Sequence, residues 1–159
     1  KMDQTIDVET RTENRDGMCI TWHMPIEMDD GIILRADVFR PIEDGCYPVI
    51  LSYGPYAKGV AYQEGYSHQW RKLAEDHPDV LESSTNKYQN WETTDPERWV
   101  PHGYVIIRID SRGAGWSPGL MNLFSPRVYT DIYSIEFRLS KTFDRMSKLE
   151  KRILKKINA

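Results

Sequence analysis

The chain has 159 residues, 40% of them apolar and 28% charged, the balance of one soluble domain large enough to bury a core. No apolar run approaches the ~20 residues of a membrane span, and the polar start KMDQTIDVETRTENRDG is not a secretory signal, so a cytoplasmic protein without membrane contact is expected. Two cysteines, Cys19 and Cys46, make no metal framework, and a disulfide is not expected in a reducing compartment.

The net charge of -3 conceals an asymmetry: residues 1–126 hold 12 Lys/Arg against 20 Asp/Glu, and residues 127–159 hold 9 against 4. An acidic body therefore carries a basic tail. Such a tail suits nucleic acid or a membrane surface, or it is the solvated face of a helix. Its cations are not interleaved with stacking aromatics, and Asp144 and Glu150 dilute them, so no nucleic-acid partner is expected.

In chain order, residues 1–17 read as a flexible segment. CITWHMPIEM (19–28) and IILRADVF (32–39) flank Asp29, Asp30 and Gly31, which predicts an antiparallel hairpin. YPVILSYG (47–54) is a short continuous apolar run of the kind found in a buried central strand. A helix is predicted within 60–76, around Trp70, Leu73 and Ala74. The polar stretch from Pro78 to Thr94 lacks periodicity and is long for a connection, which leaves it functional or a packed excursion. DPERWVPHG (95–103) predicts a short capped helix, and YVIIRID (104–110) a second buried strand. The two apolar strands should be parallel, joined by a crossover. After the Gly-rich SRGAGWSPG, Ser125 and Pro126 open a long helix with an apolar stripe at Ile132, Ile135, Leu139, Met146, Leu149 and Ile153.

Three stretches taken together carry a resemblance: PIEMDDGIILRADVFRP, SYGPYAKG, and KYQNWETTDPERWVPHGYVIIRIDSRGAGWSPG, continued by FSPRVYTDIYSIEF. In this order and spacing they resemble the Xaa-Pro dipeptidyl-peptidase and cocaine-esterase-like family of α/β-hydrolases, over about residues 24–137. The resemblance implies an α/β fold, here the N-terminal portion of an α/β-hydrolase sheet: an antiparallel hairpin, then two parallel strands, with a long C-terminal amphipathic helix. It divides the chain into a flexible 1–17, a partial hydrolase domain over 18–137 and a divergent basic helical tail over 138–159. It further implies hydrolysis of acyl esters or amides, Xaa-Pro peptides among them, by a Ser, Asp, His triad without metal or organic cofactor. Pro55-Tyr56 matches the pair whose phenolic hydroxyl serves the oxyanion hole. Asp110, Arg112 and Gly113 match the family's D-x-R-G turn, read as structural, with Arg112 paired to a carboxylate that sequence does not identify.

GWSPG (115–119) fits the G-x-S-x-G pattern of a nucleophile elbow, but the strand–turn–helix context is missing, because Pro118-Gly119-LMNLFSP has no helical period. All four histidines, His23, His68, His77 and His102, precede Ser117, whereas the family places His last. Ser117 is therefore read as a loop residue, and the nucleophile, acid and histidine of a triad are expected to be absent from this sequence. That leaves a fragment, a truncated gene product or a recruited non-enzyme, with a small acyl or peptide substrate only if the domain is completed. The alternative is a non-catalytic interaction module whose C-terminal helix dimerises or binds a partner, against simple packing of that helix on its own sheet.

Overall fold

The computed structural model describes residues 7–139. Strands β1 (Arg11–Arg15), β2 (Met18–Glu27), β3 (Ile33–Pro41), β4 (Val49–Gly54) and β5 (Val105–Asp110) form one sheet in the order β1-β2-β3-β5-β4. The helices are α1 (Tyr62–Gly65), α2 (Ser67–Asp76), α3 (Pro96–Trp99) and α4, over residues 126–139. Short 3-10 turns at Pro78–Leu81 and Val100–His102 complete the path.

The predicted hairpin is β2 and β3, antiparallel around Asp29–Gly31. The predicted parallel pair is β4 and β5, in register from Val49↔Val105 to Gly54↔Asp110. β5 runs antiparallel to β3 on its other side, so it lies inside the described sheet, between β3 and β4. All six of its residues are buried. Side chains alternate across a strand, so Val105, Ile107 and Ile109 join one core with Leu34, Ala36 and Val38, while Ile106 joins a second with Met18, Ile20 and Phe39.

Two expectations are corrected. Residues 11–15 are not loose: β1 pairs with β2 from Arg11↔Trp22 to Arg15↔Met18. Asp16 and Gly17 form the two-residue connection with φ of 50° and 76°, the double positive φ that a tight hairpin requires. RTENR has no apolar residue, so hydrophobic periodicity could not reveal it. β4 is buried only in part and lies at the edge of the described sheet, where Val49 is 47% exposed, because it pairs on one side only, with β5.

The 78–94 stretch is packed. Tyr88 stands edge-on to Phe39 with ring centroids 5.6 Å apart, and its hydroxyl donates to Asp16. Glu97 accepts bonds from Ser84 and Thr85. Beneath the stretch lies Arg108, a buried cation in β5, over the Phe39 ring and donating to Asn90 Oδ1 and to the Thr94 carbonyl. Burial pushes its pKa down to about 10, so it stays charged at neutral pH. Asp95 caps α3 through the Glu97 N–H, with Pro96 in the first turn, as the sequence predicts.

Helix α4 buries a row different from the predicted stripe. Ile135 and Leu139 face the core, but the next residue in that row is Asp131, fully buried, and Ile132 is 39% exposed. The cause is electrostatic: Asp131 accepts from Arg112 Nε at 2.5 Å, Arg112 Nη2 at 2.9 Å, Arg127 Nε at 2.9 Å and the Tyr53 hydroxyl at 3.1 Å. Met146, Leu149 and Ile153 lie outside the described residues. Replacing Asp131 with Ala leaves a buried guanidinium without its main partner and should cost about 3–5 kcal/mol. Urea denaturation measures this; a loss below about 1 kcal/mol would show that α4 is held by apolar contacts alone.

Candidate active site

The chain leaves β4 through Gly54-Pro55-Tyr56, at the strand's C-terminal end, where an open α/β sheet places its ligand sites. Tyr56 is 41% exposed and lines an open cleft with Ser52, Tyr53, Trp91, Glu92 and Thr93. Its interaction with the nearby Glu92 carboxylate raises the phenol's pKa. The group therefore holds its proton at neutral pH and is a donor.

The next two residues fix the turn. Ala57 has φ of 60°, a left-handed conformation that non-glycine residues adopt at a cost. Lys58 then turns inward. Its backbone N–H donates to Asp110 Oδ1 at 2.7 Å, and its Nζ donates to Asp37 Oδ1 at 2.7 Å and to His23 Nδ1 at 3.0 Å. A lysine has only donors, so Nδ1 of His23 accepts. Burial, then the Lys58 charge, holds the His23 imidazole below its ordinary pKa, consistent with that neutral form. From the other side, Asn90 Nδ2 donates to the carbonyls of Lys58 and Val60, both at 2.8 Å. Asp37 also accepts the N–H of His23, which sits at φ 55° in a bulge of β2 between Thr21 and Met24. One buried carboxylate thus joins the bulge, β3 and the Tyr56 turn.

The loop after β5 is built on Asp110. Its carboxylate accepts the N–H of Lys58 and, at 2.9 Å, the N–H of Trp116. Burial raises its pKa, and these bonds work against that. Gly115, at φ 49°, lies so close that a Cβ would overlap the Asp110 carboxylate, and a Cβ on Gly113, at φ 71°, would lie 2.6 Å from Met121 N. Asp110 and Gly113 are thus structural, as predicted, and Gly115 is structural with them. The partners of Arg112 are Asp131 and Asp30.

Ser117 is 2% exposed, and its Oγ donates to the Asp110 carbonyl at 2.7 Å and accepts the Arg35 N–H at 2.9 Å. Both bonds are to backbone, so the hydroxyl anchors a loop and faces no base. His68, His77 and His102 are exposed, and His23 sits with Lys58 and Asp37, its ring 5.2 Å from that of Trp116. Sequence reasoning missed Lys58, Asp37, Asn90 and Glu92. For Asp37 and Arg108 the signal was present: charged residues inside otherwise apolar strands are buried only with partners. Among the described residues no group of three or more His, Cys, Asp or Glu is placed to hold a metal, and no helix is long and apolar enough to cross a membrane.

A mixed sheet with a parallel pair, a Pro-Tyr turn beyond one parallel strand and a D-x-R-G loop beyond the other define part of an α/β-hydrolase domain. The family model described as X-Pro dipeptidyl-peptidase (S15 family) matches residues 30–136, and the chain belongs to that family. Two crystal structures of a CocE/NonD family hydrolase from Staphylococcus aureus are similar to it at 29% identity, with TM-scores of 0.60 and 0.58. The match covers 74% of this chain and 20% and 19% of theirs, so the chain spans about a fifth of their length. Among curated proteins none matches.

Two substitutions test the Asp110 platform. Gly115→Ala should destabilise by about 1–3 kcal/mol from its backbone conformation alone, before any displacement of Asp110. Asp110→Asn turns an amide NH₂ toward one of two backbone N–H groups and should cost about 1–3 kcal/mol. Thermal or urea unfolding that left both variants at wild-type stability would contradict the assigned roles.

Proposed function

We propose that this chain supplies the oxyanion-donor side of a serine-hydrolase active site for acyl esters or amides, Xaa-Pro peptides among them, and that residues 1–159 alone do not hydrolyse them. The observation that carries this is the contrast between Tyr56 and Ser117. The Tyr56 hydroxyl is protonated and open to a cleft at the end of β4, while the Ser117 hydroxyl is buried in two backbone bonds. A tetrahedral intermediate places a full negative charge on one oxygen. A preorganised phenolic donor there lowers the barrier by roughly 3–4 kcal/mol. The attack itself needs a serine beside a base, and no histidine bonds Ser117 among the described residues. The nucleophile, acid and histidine would then come from chain outside this sequence. Neither metal nor organic cofactor enters this chemistry. Both cysteines are free, which suits a reducing, cytoplasmic compartment.

A fluorophosphonate probe followed by intact-mass measurement tests this reading. No stoichiometric adduct is expected; labelling of Ser117 would overturn it.

A second reading, an interaction module, is favoured by one observation. Tyr129, Tyr133 and Phe137, four residues apart on α4, are 64%, 75% and 60% exposed, and Phe124 before them is 92% exposed. Aromatic rows of this kind mark contact surfaces. In this reading a second copy covers the row, and light scattering over a concentration series should show a dimer. A concentration-independent monomer removes it.

A further inference from the structure

The turn after β4 and the loop after β5 meet at Asp110, and both also touch a residue that belongs to neither. His23 sits in the bulge of β2 at φ 55°, a left-handed conformation that a histidine adopts at a cost. Its main chain is fixed there. The N–H donates to Asp37 Oδ1 at 2.9 Å, and the carbonyl accepts from Thr10 Oγ1 at 3.1 Å and Arg35 Nη1 at 3.4 Å. The half-buried ring is thereby presented between two neighbours. Lys58 Nζ lies 3.0 Å from Nδ1, and the Trp116 ring stands edge-on at 5.2 Å.

Lys58 has a side chain only 1% exposed, so its ammonium cannot exchange protein partners for water where it stands. Its described partners are Asp37 Oδ1 and the lone pair of His23 Nδ1. A proton on Nδ1 removes that lone pair and sets two cations face to face. The other charges around the ring give little relief. Arg35 on β3 and Arg11 on β1, the latter paired with Glu13, add positive charge. Asp37 is the facing carboxylate, and it already holds Lys58 and the His23 N–H. Burial, then the Lys58 charge, accordingly keeps the imidazole below its ordinary pKa. What the Lys58 anchor restrains is strained: Ala57, the preceding residue, is at φ 60°, and such a conformation persists only while its surroundings enforce it.

We propose that His23 is an acid-sensitive latch on the candidate site: neutral, it accepts a hydrogen bond from Lys58 and fixes the Tyr56 turn; protonated, it expels the Lys58 ammonium and frees the turn together with the Trp116 ring. This goes beyond the proposed function and rests on it for one point only, that the group losing its position in acid is the oxyanion donor.

The test uses the intact chain, isotope-labelled for NMR, with His23→Asn beside the wild type. Asparagine tolerates positive φ, and its amide oxygen can take the place of Nδ1 without binding a proton. In the wild type the His23 ring should titrate with a midpoint below the ordinary value of about 6.5. With the same midpoint, protection of the Lys58 amide against hydrogen exchange should fall about tenfold, after correction for the intrinsic rate. His23→Asn should keep that protection throughout. The sign for stability follows from the lowered pKa: the unfolded chain binds the proton more readily, so stability falls as pH drops below about 6.5. The wild-type unfolding constant should therefore rise relative to that of His23→Asn, by at most about tenfold per pH unit. A His23 midpoint at or above about 6.5, a titrating ring with unchanged Lys58 protection, or the same loss of protection in His23→Asn would each overturn the proposal. Should the variant fail to fold, the wild-type midpoint and protection decide alone. Neither result bears on labelling of Ser117, so the latch and the hydrolase reading stand or fall separately.

Discussion

The guanidinium of Arg112 is the joint on which this architecture turns. Its Nε and Nη2 reach Asp131 on α4, and Nη1 and Nη2 reach Asp30 in the hairpin turn, at 2.7 and 3.2 Å. A planar fork with fixed donor directions can grip two carboxylates at once, which an ammonium cannot. Asp131 accepts four bonds in all, so its charge is compensated where it is buried. Four segments distant in sequence meet there: the β2–β3 turn, the end of β4 through Tyr53, the loop after β5, and α4. Arg127 reinforces the joint by pairing with Asp29 and Asp131. Its hydrogen bond holds the Asp29 carboxyl below the usual range. For Asp30 burial opposes ionisation, but the bonds to Arg112 and to the Ile32 N–H outweigh it, and its pKa is also lowered.

With that loop anchored, the site is assembled by polar bonds rather than by apolar packing. Asp110 takes one N–H from the loop after β5 and one from the turn after β4, so the ends of the two parallel strands share a carboxylate. Ser117 closes the same loop onto the Arg35 backbone in β3. Lys58 and Asp37 carry the connection down to the β2 bulge. Each member is buried, and each would cost free energy if left unpaired. These contacts make the conformation of the Tyr56 turn specific. The apolar cores on the two faces of β5 supply the bulk of the stabilisation and say little about where a hydroxyl points.

The sequence was most legible where one physical signal dominated. The Asp29–Gly31 turn between alternating strands, the apolar VIIRID run and the Asp95-Pro96 helix start each stand where the pattern put them. The parallel pairing of β4 and β5 follows from the same pattern with chain topology added. Legibility failed where a polar residue does structural work. RTENR forms a strand because Asp16-Gly17 folds it onto β2, and an apolar count cannot register that. On α4 a buried Asp131 took the row that the periodicity assigned to Ile132. Lys58, Asp37 and Asn90 meet only in three dimensions; Asp37 and Lys58 lie 21 residues apart, Lys58 and Asn90 lie 32 apart, and no local pattern links them. Tyr56 was legible through resemblance alone, and Glu92 through nothing in the sequence.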